Sequence, residues 1–340
     1  MSENLRFGCI GCGGMGRLHV RNSQFVPGMT VAAYADLDES RARSFLEEFG
    51  GEYATADPQQ VIADDSLDGV LIQTGPRFHP DLGIAAARAG KHIFVEKPLA
   101  ESLDAADALV SAVRENGIKC LVGLCNRLSP MVKRAKQLCP HPHYSFCMCS
   151  GGVVAQACHN LDLAVHLFHE SPLISMYASG GSFYGTDPSL HADSFAAVLK
   201  FEDGSTHNYL QHGRAFNTVL RKYHYQLFGD DACVYLAHRF KEIYYCTGPD
   251  RVAHSLAYQG PDFSEDAKPL EDVRGPFGYM GHYEELAALV KSISSDTEVP
   301  ITVEQGREVL RVEQAILESV ATGQVIDMRS WRCPSGNKIP

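Results

Sequence analysis

The chain has 340 residues, 45% of them hydrophobic and 21% charged, with a formal net charge of −11. That length exceeds what one hydrophobic core usually serves, so two domains are expected, with a cleft between them as the default ligand site. The acidic balance and scattered basic residues argue against a nucleic-acid partner. No apolar run reaches the roughly 20 residues a membrane helix needs, and the opening MSENLRFGCIG has no basic n-region of a signal peptide. The expectation is a soluble, cytoplasmic enzyme.

The first segment, LRFGCIG (5–11), is a short apolar run ended by glycines, and MGRLHVRNSQFV after it has helical character. Between them Gly11-Cys12-Gly13-Gly14-Met15-Gly16 reads G-x-G-x-x-G: a tight turn, a close approach of backbone to pyrophosphate, and close packing of helix on strand. Such a turn is also compatible with a purely structural role, so its context decides. TVAAYAD (30–36) forms a second strand ending in Asp36, twenty residues beyond Gly16, which is the spacing for a carboxylate on ribose hydroxyls. Asp36 would repel a 2′-phosphate, so NAD is preferred to NADP, with Arg41 the one dissenting residue nearby.

Cys9 and Cys12 form a C-x-x-C in this turn, where two thiols cannot complete a four-ligand metal site. The total of eleven cysteines is odd, and many stand in apolar contexts, which reads as reduced, buried thiols.

Units of the same rhythm follow: helix 39–49, strand 52–54, helix 57–63, strand 68–74, helix 79–89, strand 91–97, helix 103–116 and strand 119–124. Strands alternating with helices make a parallel sheet, and ligands bind such sheets beyond the carboxyl ends of the strands. Thr74, His79, Glu96, Lys97 and Asn126 all fall at those ends. In Glu96-Lys97-Pro98 the proline fixes a turn, by a cis peptide if one forms, that aims Lys97 at the ligand. Near a positively charged nicotinamide a lysine loses affinity for its proton, which suits proton relay to a reacting oxygen. The plainer alternative is a surface lysine paired with Glu96.

In the second half, YSFCMCS (144–150) reads as a strand, and Gly152 to Phe168 contains a helix on which His159, Asp162 and His166 share one face. His159, His166 and His169 do not show the H-x3-H spacing of a helical metal site, so no metal is expected. From residue 173 onward the text becomes strands with short polar turns. In SFAAVLKF, Phe195, Ala197, Leu199 and Phe201 alternate to one face, and EDGS turns into the next strand. This is an antiparallel sheet with one apolar face packed on helices. His207, Tyr209, His212, Arg214, Arg221, Tyr223, His224 and Tyr225 read as solvated or interface residues. Segments 277–293 and 303–320 are amphipathic helices.

Taken together, GCGGMG at 11–16, Asp36, Thr74 with His79 five later, Glu-Lys-Pro at 96–98, Asn126-Arg127, and Gly151-Gly152 followed by His159-Asn160-Leu161-Asp162 resemble the Gfo/Idh/MocA oxidoreductases over nearly the whole chain. The resemblance implies an α/β architecture: an N-terminal Rossmann domain (1–125), doubly wound on a parallel sheet, then a substrate-binding and oligomerisation domain (126–340). The second is an open-faced, mostly antiparallel sheet backed by helices, with the helix at 302–321 packing back towards the Rossmann domain. It further implies a hydride moving between nicotinamide and a hydroxyl-bearing carbon of a sugar, cyclitol or sugar derivative. Gly11 to Gly16 (with Cys12 and Met15), Asp36, Thr74, His79, Glu96, Lys97 and Asn126 would hold NAD. His159 would take the hydroxyl proton while Lys97 polarises the oxygen, and Arg127, Asn160 and Asp162 would hold substrate hydroxyls.

A homodimer or homotetramer through the sheet face is implied likewise. Two positions depart from the pattern. Thr74-Gly75-Pro76 stands where Thr-Pro-Asn is usual, and Ala155 stands where inositol-type enzymes carry an acidic partner for the histidine. Ala155 keeps two alternatives in view: a lyase, epimerase or glycosidase that cycles tightly held NAD, and an NAD-sensing regulator without chemistry.

Overall fold

The computed structural model describes residues 4–150, 153–184, 192–213, 223–249, 252–257 and 280–333, with 153–156 described in backbone only. Gly151, Gly152, Arg214 and Arg221 lie outside the described residues, as does the side chain of Ala155. The chain divides into two units, Met1–Cys125 with Pro261–Arg307, and Asn126–Gly260 with Glu308–Pro340. The sequence assigns everything beyond residue 125 to the second domain. The return of Pro261–Arg307 to the first unit is a difference, and its cause is an apolar helix face described below.

The first unit opens with β1 (Leu5–Ile10), α1 (Gly14–Ser23), β2 (Met29–Ala35), α2 (Glu39–Phe49), β3 (Tyr53–Thr55), α3 (Pro58–Ile62), β4 (Gly69–Ile72), α4 (His79–Arg88), β5 (His92–Val95), α5 (Leu103–Asn116) and β6 (Cys120–Val122). All strand pairings are parallel, in the order β3-β2-β1-β4-β5-β6. Helices cover both faces, so the central strands are apolar throughout: Cys9, Leu71 and Phe94 have no exposed surface. Local chemistry starts and stops the helices. The side chains of Asp38, Asp57 and Ser102 cap α2, α3 and α5 by accepting from the Ser40, Gln59 and Ala105 amides. Gly117 ends α5 in the left-handed conformation. The strand order reverses between β1 and β4, and a sheet of this kind takes its ligand at the carboxyl end of that switch point.

The second unit contains α6 (Pro130–Leu138), β7 (Tyr144–Ser150), α7 (Val153–Leu163), β8 (Leu173–Gly181), β9 (Ser194–Phe201), β10 (Thr206–His212), β11 (Tyr223–Phe228), β12 (Ala232–Ala237), β13 (Glu242–Thr247) and β14 (Ala253–Ala257). Helix α7 runs on into a π-type turn, Ala164–Phe168. The alternation read from the sequence holds in β9: Phe195, Ala197, Leu199 and Phe201 are buried while Ala196, Val198 and Lys200 face outward. The chain reverses between β9 and β10 at Gly204, with φ +88.

Two helices and a last strand follow: α8 (His282–Ser294), α9 (Val303–Thr322) and β15 (Ile326–Asp327). Helix α8 buries Leu286, Leu289 and Val290 against α1, β5 and β6, which draws this segment into the first unit. The second unit's sheet runs β14-β13-β12-β11-β7-β10-β9-β8-β15, antiparallel except where β7 meets β10. Helix α7 covers β7 and β10 on one face, and the Ser319 Oγ of α9 accepts from the Ala178 amide at 2.8 Å.

Candidate active site

The glycine loop shows two kinds of glycine. Gly11 has φ +101, and a Cβ there would lie 2.7 Å from the Gln73 carbonyl. A Cβ on Gly16 would lie 2.2 Å from the Gly11 oxygen. Both allow the loop to fold on itself. By contrast, a Cβ at Gly13 or Gly14 would meet nothing within 4 Å, so these residues border open space at the start of α1. Gly13 caps α1 without a side-chain hydrogen bond, which leaves first-turn amides for an anion such as a pyrophosphate.

Asp36 follows β2. Its Oδ2 accepts from the Cys12 amide at 2.8 Å and its Oδ1 from the Asp38 amide at 3.0 Å. It borders a cavity of about 300 Å³ walled in part by Ile10, Leu37, Gln73, Thr74 and Phe78. An apolar slot with a carboxylate at its edge fits a nucleoside. Arg41 also lines it, but its Nε lies 3.4 Å from Asp38 Oδ2. Within the loop, Cys12 turns its thiol to the Ala35 carbonyl at 3.6 Å, so its backbone is what the loop presents, and Met15 is partly exposed. The sequence reading overlooked Gln73. It is 7% exposed, lines the cavity, and its side-chain amide makes no hydrogen bond among the described residues. Its position at the end of an apolar strand was the only signal.

Two residues expected to touch the cofactor prove to be supports. His79 is fully buried, with Nδ1 2.9 Å from the Pro98 oxygen and Nε2 2.9 Å from the Thr74 oxygen, so it ties the ends of β4 and β5 together and cannot reach a ligand. Burial lowers its pKa, and the two carbonyls only partly oppose this. Glu96 is buried too. Its Oε1 lies 2.9 Å from His19 Nε2, and its Oε2 accepts from the Lys97 amide at 3.1 Å. Burial would raise the Glu96 carboxyl, but His19 first and Lys97 after it bring it down to about 2. Lys97 is partly exposed at the end of β5, and the Lys97–Pro98 peptide is cis. His19, His282 and Glu285, none of them singled out in the sequence, pack behind Glu96.

In the second unit, Asp162 was expected to accept from a substrate and Arg127 to donate to one. The structure pairs them with each other. Arg127 Nε donates to Asp162 Oδ2 at 2.8 Å and Nη2 to Oδ1, while His166 Nδ1 lies 3.2 Å from Oδ1. Asp162 has no exposed surface. Burial pushes its carboxyl up, and Arg127, then His166, outweigh that and hold it below the ordinary value. Asp162 therefore orients Arg127, which is 6% exposed. His159 (5% exposed) and Asn160 (0%) follow one another on α7. Asn126 is also fully buried, and its carbonyl accepts from the Ser129 amide at 3.2 Å.

A parallel sheet with an open glycine loop, a tethered carboxylate after β2 and an apolar nucleoside slot defines a dinucleotide-binding protein, here joined to a separate sheet unit. Residues 5–124 match the NAD-binding Rossmann fold of an oxidoreductase family, and residues 149–328 match that family's C-terminal alpha/beta domain. The chain belongs to the Gfo/Idh/MocA oxidoreductases.

It is 26% identical to an uncharacterised oxidoreductase of Bacillus subtilis (strain 168) across 96% of this chain and 98% of that one. To scyllo-inositol 2-dehydrogenase (NAD(+)) of the same organism it is 37% identical, over 40% of each chain. Among solved structures, levoglucosan dehydrogenase in complex with NADH shares the fold with a TM-score of 0.82 and 22% identity, covering 96% of this chain and 99% of that one.

Proposed function

We propose that the protein is an NAD-dependent dehydrogenase that moves a hydride between the nicotinamide and a CH–OH carbon of a sugar or cyclitol. The observation that carries this is the arrangement of one sheet: Asp36 follows β2 and Lys97 follows β5, so a ribose-binding carboxylate and a cation stand at the same, carboxyl side. The inositol dehydrogenase relative supports the substrate class. Asp36 supports NAD over NADP, since a 2′-phosphate would meet its negative charge.

Bound NAD supplies the hydride acceptor; the protein's part is to orient the alcohol and manage its proton. As C–H gives up hydride, the hydroxyl loses its proton and the carbon becomes a carbonyl. Lys97 donates a hydrogen bond to that oxygen, steadied by the Glu96 anion beside it. His159 is assigned as the proton acceptor and Arg127, held by Asp162, as a donor to substrate oxygens. Asn160 is assigned as a further polar contact. Ala155 in place of an acidic partner for His159 favours a second reading, in which NAD stays bound and is regenerated in each turnover of a lyase, epimerase or glycosidase.

The test is nicotinamide absorbance on mixing the protein and NAD with myo-inositol, scyllo-inositol, levoglucosan, D-xylose or a uronic acid. NADH growth with one of them is expected, with kcat/KM falling about 10²- to 10⁴-fold in Lys97→Met and in His159→Ala. Near-wild-type rates in both variants would sink the assignment. No NADH growth, with NAD retained through purification, would favour the redox-cycling reading.

The outward face of the nine-stranded sheet carries half-exposed Tyr144, Tyr177, Val198, Leu210, Phe228 and Tyr244. Large apolar side chains gathered on one face support self-association as a homodimer or homotetramer through that face.

A further inference from the structure

Behind β5 lies a polar cluster that no step above uses. His19 comes from α1, Glu96 from the end of β5, and His282 and Glu285 from the first turn of α8. His19 and Glu285 have no exposed side-chain surface. His19 stands between two carboxylates, Nε2 at 2.9 Å from Glu96 Oε1 and Nδ1 at 3.6 Å from Glu285 Oε1. His282 Nδ1 lies 3.4 Å from the same Glu285 oxygen. Its Nε2 faces the Cys125 thiol at 3.8 Å, and the Phe94 ring packs on His19. Glu284 and Lys97 are the other charged groups whose fields reach Glu285. Glu285 Oε2 has no hydrogen-bond partner among the described residues.

Two carboxylates facing one imidazole in a buried pocket cannot both stay ionised cheaply. One of them is tied to the backbone amide of Lys97. The other faces His19 Nδ1 through its Oε1 at 3.6 Å, and a proton on that oxygen makes it a donor to the nitrogen.

We propose that Glu285 and His19 are positioning residues for Lys97: Glu285 carries a proton at neutral pH, shares it with His19, and so leaves Glu96 as the sole anion of the cluster, fixed against Lys97. The directions of titration agree. Burial, first, and Glu96 raise the Glu285 carboxyl well above its ordinary value, while Glu96 falls to about 2 and burial lowers His282 to about 4. The value of the device to catalysis rests on the Lys97 role proposed above; its existence does not.

A divalent cation is the rival occupant. His19, His282 and Glu285 offer ligand atoms within 4.8 Å of one another, with both imidazole Nδ1 atoms 3.4–3.6 Å from Glu285 Oε1, so metal content decides between an ion and a proton there.

The test is NMR on the intact protein, which needs no substrate. With glutamate labelled at the carboxyl carbon, one resonance is expected to remain at the protonated position at pH 7 and to vanish in Glu285→Gln. With lysine labelled at Cε, the Lys97 signal is assigned by its loss in Lys97→Arg. Its acid dissociation constant is expected to rise on the order of tenfold in Glu96→Gln, where the anion is lost, and in His19→Met, where Glu96 loses the partner that holds it ionised, and to stay at the wild-type value in Glu285→Gln. If His19→Met does not fold, Glu96→Gln and the carboxyl signal still decide.

An ordinary titration of Glu285, a Lys97 titration unmoved by loss of the anion, or stoichiometric metal in the purified protein would each overturn the proposal. Lys97→Met assayed for NADH formation separates the two readings: full activity there removes the catalytic role of Lys97 and leaves the proton on Glu285 untouched.

Discussion

Alanine at Gly16 and alanine at Gly13 should fail in opposite ways. At Gly16 the new methyl would sit 2.2 Å from the Gly11 oxygen and 3.5 Å from the Phe45 ring. An ordinary contact needs more than a further 1 Å, so α1 must shift off β1. Overpacking of this kind costs about 1–3 kcal/mol, and a backbone oxygen that cannot swing aside puts the cost at the upper end. At Gly13 the backbone has φ −87 and ψ −162, which alanine adopts without strain, and the methyl meets no protein atom within 4 Å. Stability should then change by less than about 1 kcal/mol. The methyl would instead occupy the space open to a phosphate, and a loss of about 1.4–2.8 kcal/mol in binding weakens Kd by about 10- to 100-fold. Urea unfolding without ligand and calorimetric titration with NAD separate the two effects. Wild-type NAD affinity in Gly13→Ala, or wild-type stability in Gly16→Ala, would refute this division of labour within the loop.

Acid should weaken the second unit before its carboxylates matter. His169 is lowered from 6.5 to about 4 by burial, and His207 is lowered well below 6.5 for the same reason; both hydrogen-bond to Ser145. A depressed histidine stabilises fully above the unfolded pKa and loses that contribution as pH falls from 6.5 towards 4, at about 1.4 kcal/mol per pH unit per group. Urea unfolding followed in this unit at pH 7.5 and pH 5 should therefore show a drop of several kcal/mol, reduced in His169→Gln, and a flat profile would contradict the burial argument. In the first unit the loss from His282 is offset by Glu285, whose raised pKa stabilises as pH falls towards 4.5. For the proposed self-association, Tyr244→Lys places a charge on the outward sheet face; sedimentation velocity should show less association than for the wild type, and an unchanged distribution would exclude this part of the face.

Features carried by neighbours in the chain were legible from residues alone. The glycine turn, Asp36 at the end of β2, Lys97 at the end of β5 and the alternation of β9 each depend on a few consecutive positions, because a strand repeats every two residues and a tight turn needs glycine where φ is positive. What each glycine is for was not legible: Gly13 and Gly16 look alike in sequence, and only the atoms around them separate a phosphate cradle from a packing contact.

Side-chain partnerships lay further out of reach. His79 and Glu96 stand at strand ends as ligands would, yet burial against carbonyls and against His19 makes them supports. Asp162 and Arg127 each read as substrate contacts, and the fold in addition pairs them with one another. The segment that delivers His282 and Glu285 to α1 is remote in sequence, and nothing in its periodicity says which unit its apolar face will cover. Short-range order and the class of the protein were thus determined by the sequence itself, through backbone sterics and hydrophobic spacing. Which polar groups meet, and therefore which carry charge, was decided by the tertiary structure, because pairing energy and desolvation depend on distances that only the folded chain sets.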